Sequence, residues 1–162
     1  MMNFFEASCQ EPSLNNNLFG LCDDQNGSKA YTNTDTPTKW IATVKNDKVK
    51  DLIFTAIDKC VIKDNEEIGR GRCDGLITSD EHIYFVELKD AKPPWISDAI
   101  NQLTSTIHFF IANHDITIYK HKKAFACNKK RGHFQEIDNE FSLKFYREYK
   151  VRIDIQGDIL II

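Results

Sequence analysis

Three side chains in the middle of the chain, Asp74, Glu87 and Lys89, have types and spacing that suit chemistry. Asp74 stands in a short β-prone run at 72–78 (RCDGLIT), and a second run at 83–88 (IYFVEL) leads into Glu87-Leu88-Lys89. The SDEH between them reads as a tight turn, so the two runs form a hairpin. Residues i and i+2 of a strand share a face, which puts Glu87 and Lys89 on one side. An antiparallel return brings Asp74 beside them. Two carboxylates and one ammonium then meet on a rigid sheet.

Paired carboxylates suit a hard divalent cation, Mg²⁺ or Mn²⁺, which takes oxygen ligands and completes its shell with water and phosphate. The Leu88 carbonyl can supply a further oxygen. A metal so held polarises a phosphoryl oxygen and acidifies a bound water. Lys89 can orient that water or offset charge growing on phosphorus. The bland alternative is a solvated cross-strand charge cluster at a sheet edge.

The elements that position these groups follow from pattern. The second run is apolar until Glu87, as expected of a central strand covered on both faces. After Pro93-Pro94, a helix starts near Trp95, with Ile96, Ile100, Leu103, Ile107, Phe110 and Ile111 at helical spacing. Upstream, WIATV at 40–44 and LIFTAI at 52–57 read as a hairpin, with a helix over 47–59 as the rival. Downstream, 115–120 (DITIYK) is expected to be a strand paired with 123–127, 139–148 a second helix, and 151–162 a final hairpin turning near 156–158. Residues 1–39 read as a polar, mostly irregular lead-in packed on a single domain spanning 40–162. The expected class is α/β or α+β, a mixed sheet with flanking helices.

The order Asp74-(x)12-Glu87-Leu88-Lys89, on strand–turn–strand before an amphipathic helix, resembles the PD-(D/E)XK superfamily of restriction-endonuclease-like nucleases. The likeness covers roughly residues 60–120. It implies a restriction-endonuclease-like fold and a Mg²⁺-dependent nuclease acting on nucleic acid, DNA foremost, as a homo-oligomer or within a larger defence or repair complex. Asp74 matches the motif Asp, Glu87 the acidic position and Lys89 the motif Lys. Gln102 resembles the helical Gln of the exonuclease-type branch, where a Tyr follows four residues later; this chain has Thr106. Cys73 stands where the family has Pro. The family's further upstream acid has five candidates here: Glu6, Asp51, Asp58, Glu66 and Glu67. Asp90-Ala91-Lys92 and Glu148-Tyr149-Lys150 match the tripeptide too, but without the hairpin. A non-catalytic module on the same fold, binding a protein or nucleic acid, is the competing function.

The formal net charge is −3 over 162 residues. Glu6, Glu11, Asp23, Asp24 and Asp35 against Lys29 and Lys39 place the whole deficit in the lead-in. The stretch 120–133 holds Lys120, Lys122, Lys123, Lys129, Lys130 and Arg131 and no acid. It reads either as a phosphate grip, with Tyr119, Phe125 and Phe134 for stacking, or as a Lys-rich edge hairpin that resists aggregation. The histidines show no catalytic pairing. The five cysteines are odd in number and widely spaced, so reduced thiols in a cytoplasmic protein are expected; His121, Cys127 and His133 match no common zinc spacing. No apolar run approaches the ~18 residues of a membrane span, and MMNFFEASCQ lacks the basic and apolar regions of a secretory signal.

Overall fold

The turn at 79–82 closes as its residues dictate. The Ser79 amide donates to the His82 carbonyl at 3.0 Å, and the Ser79 hydroxyl accepts the amides of Glu81 and His82 at 3.1 and 3.0 Å. The computed structural model describes residues 2–66, 70–130 and 139–162. Among them the chain forms β1 (Leu18–Cys22), β2 (Tyr31–Asn33), β3 (Ala42–Lys45), β4 (Ile53–Ala56), β5 (Gly75–Thr78), β6 (His82–Lys89), α1 (Ile96–Asn113), β7 (His121–Asn128), α2 (Asn139–Tyr149), β8 (Arg152–Ile155) and β9 (Asp158–Leu160).

The strands make two mixed sheets, in the orders β2-β1-β3-β9 and β4-β5-β6-β7-β8. In the second sheet β4, β5 and β6 run antiparallel, whereas β6, β7 and β8 run parallel. Parallel neighbours need long connections, and the helices α1 and α2 provide them. The class is therefore α+β, with two mixed sheets and two helices among the described residues. One face of the five-stranded sheet (Leu76, Phe85, Ala124, Ala126, Ile153) packs on Leu103, Ile107 and Phe110 of α1 and on Phe145 of α2. The opposite face (Ile77, Tyr84, Val86, Leu88, Phe125) packs on Phe19, Leu21, Val44 and Ile159 of the other sheet. With both faces covered, β6 is apolar throughout its middle, for the reason its sequence suggests.

Several expectations need correction. WIATV and LIFTAI do not pair with each other. β3 joins β1 and β9, while β4 joins β5 in the other sheet. The buried Asn46 redirects the chain between them, its amide donating to the Asn16 and Lys50 carbonyls and its oxygen accepting the Lys50 amide. The 115–120 segment is not a strand. Asp115 accepts the Thr117 amide at 2.9 Å and turns Ile116–Ile118 into a 3-10 helix, the local competition that Asp side chains set up against strand formation. β7 is then an inner strand between β6 and β8, so the edge-hairpin reading of its lysines fails. The 151–162 hairpin fails because consecutive residues serve different sheets: the Gln156 amide donates to Ala126, while the Gly157 carbonyl accepts the Thr43 amide. The helix 96–113 forms, but its buried stripe runs through Ala99, Leu103, Thr106, Ile107 and Phe110, leaving Ile111 exposed.

The lead-in is more ordered than its polar composition suggests. It supplies β1 and β2, and it buries Phe4, Phe19 and Leu21. It also carries half of a disulfide, Cys9–Cys60, so the expectation of five reduced thiols is wrong for that pair. Sequence separation of 51 residues hid the pairing. Cys22, Cys73 and Cys127 remain buried thiols. Among the described residues no helix is long and apolar enough to cross a membrane.

Candidate functional site

The site begins with an irregularity in β5's approach to β6. Gly75 lies opposite Val86 in register, yet the Asp74 amide also donates to the Val86 carbonyl at 3.1 Å. Two residues of one strand thus face one of the other, the pattern of a β-bulge, which re-aims the bulged side chain. Asp74 accordingly turns along the strand end, where its Oδ2 accepts the Leu88 amide at 2.7 Å. On the other side, the Asp74 and Cys73 carbonyls accept the amides of Ile57 and Asp58 at 3.0 and 3.1 Å. The backbone around Asp74 is held from both neighbours.

Helix α1 holds it from above. The Thr106 hydroxyl is fully buried, accepts the Cys73 amide at 2.7 Å and donates to the Gln102 carbonyl at 2.8 Å. Gly71 lies so close to α1 that a Cβ there would fall 2.9 Å from the Gln102 Cα; only glycine lets the chain cross the helix at that point. Thr106→Val keeps the shape and removes the acceptor, leaving the Cys73 amide buried and unpaired. Urea unfolding should register a loss of about 1–3 kcal/mol, and Thr106→Ser should restore most of it.

Glu87 is 3% exposed and Asp74 8%. Burial pushes the Asp74 carboxyl up to about 7, opposed by hydrogen bonds from Glu87 and the Leu88 amide and reinforced by contact with Asp23. Burial likewise raises Glu87 well above the carboxylic range, with the Asp74 charge next in weight and Lys89 opposing. The two groups titrate as a pair that retains a proton near neutral pH. Lys89 sits 3.2 Å from Glu87 Oε2 and 2.8 Å from Asp98 Oδ2. Burial works against its charge, but the Asp98 hydrogen bond and the Glu87 charge outweigh it and raise the ammonium. Among the described residues no donor reaches the buried Oε1 of Glu87 or of Gln102. Asp98, Gln102 and Thr106 succeed one another at i, i+4 on one face of α1, a stripe that contacts Lys89 at one end and the Cys73 amide at the other. Gln102 lies between those contacts.

The structure therefore brings Asp74, Glu87 and Lys89 together, with Gln102 on the helix beside them. The Leu88 amide points to the β5 side, and the carbonyl of a strand residue points the same way as its amide. Among the described residues no three His, Cys, Asp or Glu side chains converge in a metal-ligating group. A cation here would draw on Asp74, Glu87 and neutral oxygens such as Leu88 O, an all-oxygen set suited to a hard divalent ion, and the unpartnered Glu87 Oε1 is an acceptor available to it.

Of the upstream acids, Asp58 pairs with Arg72 at 3.1 Å, Glu6 and Glu66 line a separate cavity, Asp51 is exposed, and Glu67 lies outside the described residues. The acid that does touch Asp74 is Asp23, immediately after β1. Asp98, Asp23 and Thr106 were not singled out from the sequence for these roles. Only the i, i+4 spacing of Asp98 to Gln102 offered a signal.

The basic run divides. β6 and β7 are parallel, His82 facing His121 and Lys89 facing Asn128. Lys120, Lys122 and Lys123 thus lie six, four and three residues before Ala126, the partner of Glu87, roughly 20, 13 and 10 Å along the strand at ~3.3 Å per residue. Lys122 donates to the Tyr119 carbonyl, and Lys123 lies over the Tyr84 ring. Lys129 and Lys130 leave β7 at the carboxylate end. The Lys129 amide donates to the Lys89 carbonyl at 2.8 Å, and Lys130 pairs with Asp90 at 2.7 Å. The buried Asn128 ties that end together by exchanging hydrogen bonds with Ala91. Arg131, His133 and Phe134 lie outside the described residues.

Comparison with protein-family models, with curated proteins and with solved structures returns no match.

Proposed function

We propose that this chain is a divalent-metal-dependent nuclease of the PD-(D/E)XK, restriction-endonuclease-like kind, hydrolysing phosphodiester bonds of nucleic acid, with DNA as its substrate. The observation that carries the reading is the buried Asp74–Glu87 pair, two carboxyl groups held in contact, with one Glu87 oxygen that no donor among the described residues reaches. Burying two carboxylates in contact is costly unless something of opposite charge joins them. Lys89 supplies part of that charge, and a divalent cation supplies the rest. The order of β5, β6 and α1 around the motif also agrees with the resemblance.

Mg²⁺ or Mn²⁺ bound there brings Lewis acidity toward a phosphoryl oxygen and a more acidic bound water. Asp74 is oriented for that role by the Leu88 amide, and Glu87 by Lys89. Lys89, held protonated, faces the charge that develops on the phosphoryl oxygens. Asp98 restrains the ammonium from the helix side. Gln102 offers an uncharged acceptor to a water or a sugar hydroxyl. Lys129 and Lys130, at the carboxylate end of β7, offer positive charge to the phosphates of a bound strand.

Incubation with single- and double-stranded DNA and RNA, with and without Mg²⁺ or Mn²⁺, tests the reading. Cleavage is expected with metal and absent from an Asp74→Ala, Lys89→Ala double variant. Cleavage that persists in the double variant removes the site assignment. Metal-independent binding with no cleavage on any of these substrates favours the non-catalytic module. In the same assay Lys129→Gln should weaken DNA binding more than Lys122→Gln, and should reduce the slope of log affinity against log salt by about one.

A further inference from the structure

We propose that the Cys9–Cys60 bridge is a thiol-exchange site for a small zwitterionic thiol, and that its redox state is conveyed to the backbone of Asp74. Cys9 is buried, whereas Cys60 is partly exposed at the rim of a polar cavity of about 390 Å³. Lys59 and Lys63 line the cavity together with Glu6 and Glu66. Two ammonium and two carboxylate groups around a reachable disulfide match a thiol that bears both carboxylates and an ammonium. Lys63 also favours the attacking thiolate over the thiol, whereas the Lys59 ammonium is already paired with Asp64 at 2.7 Å.

The chemistry balances with two thiols. The first thiolate attacks Cys60 Sγ, the S–S bond breaks, and Cys9 Sγ leaves as a thiolate that takes a proton from water. The second thiolate attacks the small-molecule sulfur of the mixed disulfide and releases Cys60. Two thiols are oxidised to one small disulfide, and Cys9 and Cys60 are both reduced. Exposed disulfides are those that exchange, and a reducing compartment keeps them only as transient or sensing bonds.

The connection to Asp74 is short. Cys60 lies in the tight turn after β4, where the Cys60 and Ile62 amides both donate to the Ile57 carbonyl at 3.2 and 2.9 Å. The Ile57 and Asp58 amides in turn donate to the Asp74 and Cys73 carbonyls. The bridge anchors this turn to the 3-10 helix Ala7–Cys9, and reduction removes that anchor.

The test uses the full chain without denaturant. Glutathione should expose two thiols, at Cys9 and Cys60, while Cys22, Cys73 and Cys127 stay unreactive. In a Cys9→Ser variant, oxidised glutathione should add once, at Cys60. Lys63→Gln should slow exchange with glutathione by about two- to fivefold and leave exchange with neutral 2-mercaptoethanol unchanged. Amide exchange at Ile57 and Asp58 should be faster in the reduced protein than in the oxidised one. A bridge that yields no thiols to glutathione under native conditions overturns the proposal. So does a Lys63→Gln effect equal for both thiols, or amide exchange that ignores the redox state. None of these readouts depends on nuclease activity.

Discussion

Glu87→Gln is expected to cut Mg²⁺-dependent cleavage by at least about a hundredfold and, in metal-free buffer at pH 8, to make the fold more stable. Both effects have one cause. Glu87 is buried against Asp74, whose charge raises the Glu87 pKa beyond what burial does alone, while the hydrogen bond from Glu87 opposes the rise at Asp74. A glutamine keeps the volume, stays neutral without a proton and can donate its amide to Asp74. The gain should be about 1–3 kcal/mol, read from urea midpoints. Its pH dependence has a definite sign. Because both folded-state pKa values are raised, the native protein holds more protons than the unfolded chain between the ordinary carboxylate range and about 7. Stability of the wild type therefore falls as pH rises through that window, and is fully present below it. In Glu87→Gln one titrating member of the pair is gone, so the fall should shrink. The advantage of the variant should vanish near pH 4. A variant less stable than wild type at pH 8 would mean that Glu87 is already compensated by Lys89 alone.

Phe110→Ala should be the most damaging core change. Phe110 is fully buried, and its ring meets Phe4 at 5.2 Å, Phe5 at 6.0 Å and Phe85 at 5.6 Å. It thereby fastens the lead-in to α1 and α1 to β6. Truncation of such a ring costs about 3–5 kcal/mol, a large share of the 5–15 kcal/mol typical of a domain. Thermal unfolding should show a correspondingly large drop in midpoint. Because the ring clamps Phe4 as well, limited proteolysis should also nick the first ten residues sooner. Phe110→Leu should recover much of the loss in both measurements.

What the sequence made legible was local. The 79–82 turn, β6 and α1 each follow from a contiguous pattern, and the meeting of Glu87, Lys89 and Asp74 follows from that turn. What it concealed was decided at a distance. β3 and β4 look like hairpin partners because both are short and β-branched, but each is better buried in a different sheet, and the side-chain bonds of Asn46 turn the chain between them. The bulge at Asp74 has no residue signature, since Cys73, Asp74 and Gly75 fit an ordinary strand as well. Asp23 reaches Asp74 only because β1 joins the fold as an inner strand, a pairing with Ala42–Lys45 that no local pattern announces. The basic run looked like one patch because parallel pairing of β7 with β6, which separates its ends, depends on the α1 crossover.

A nuclease of this kind needs the Asp74–Glu87 pair to receive a divalent cation. Titrating the wild type and Glu87→Gln with Mn²⁺ at pH 8, followed by electron paramagnetic resonance of the free ion, measures this directly. One bound Mn²⁺ per chain in the wild type, weakened at least about tenfold in Glu87→Gln, is the predicted result. Equal Mn²⁺ binding by both proteins, or none by the wild type, would contradict it.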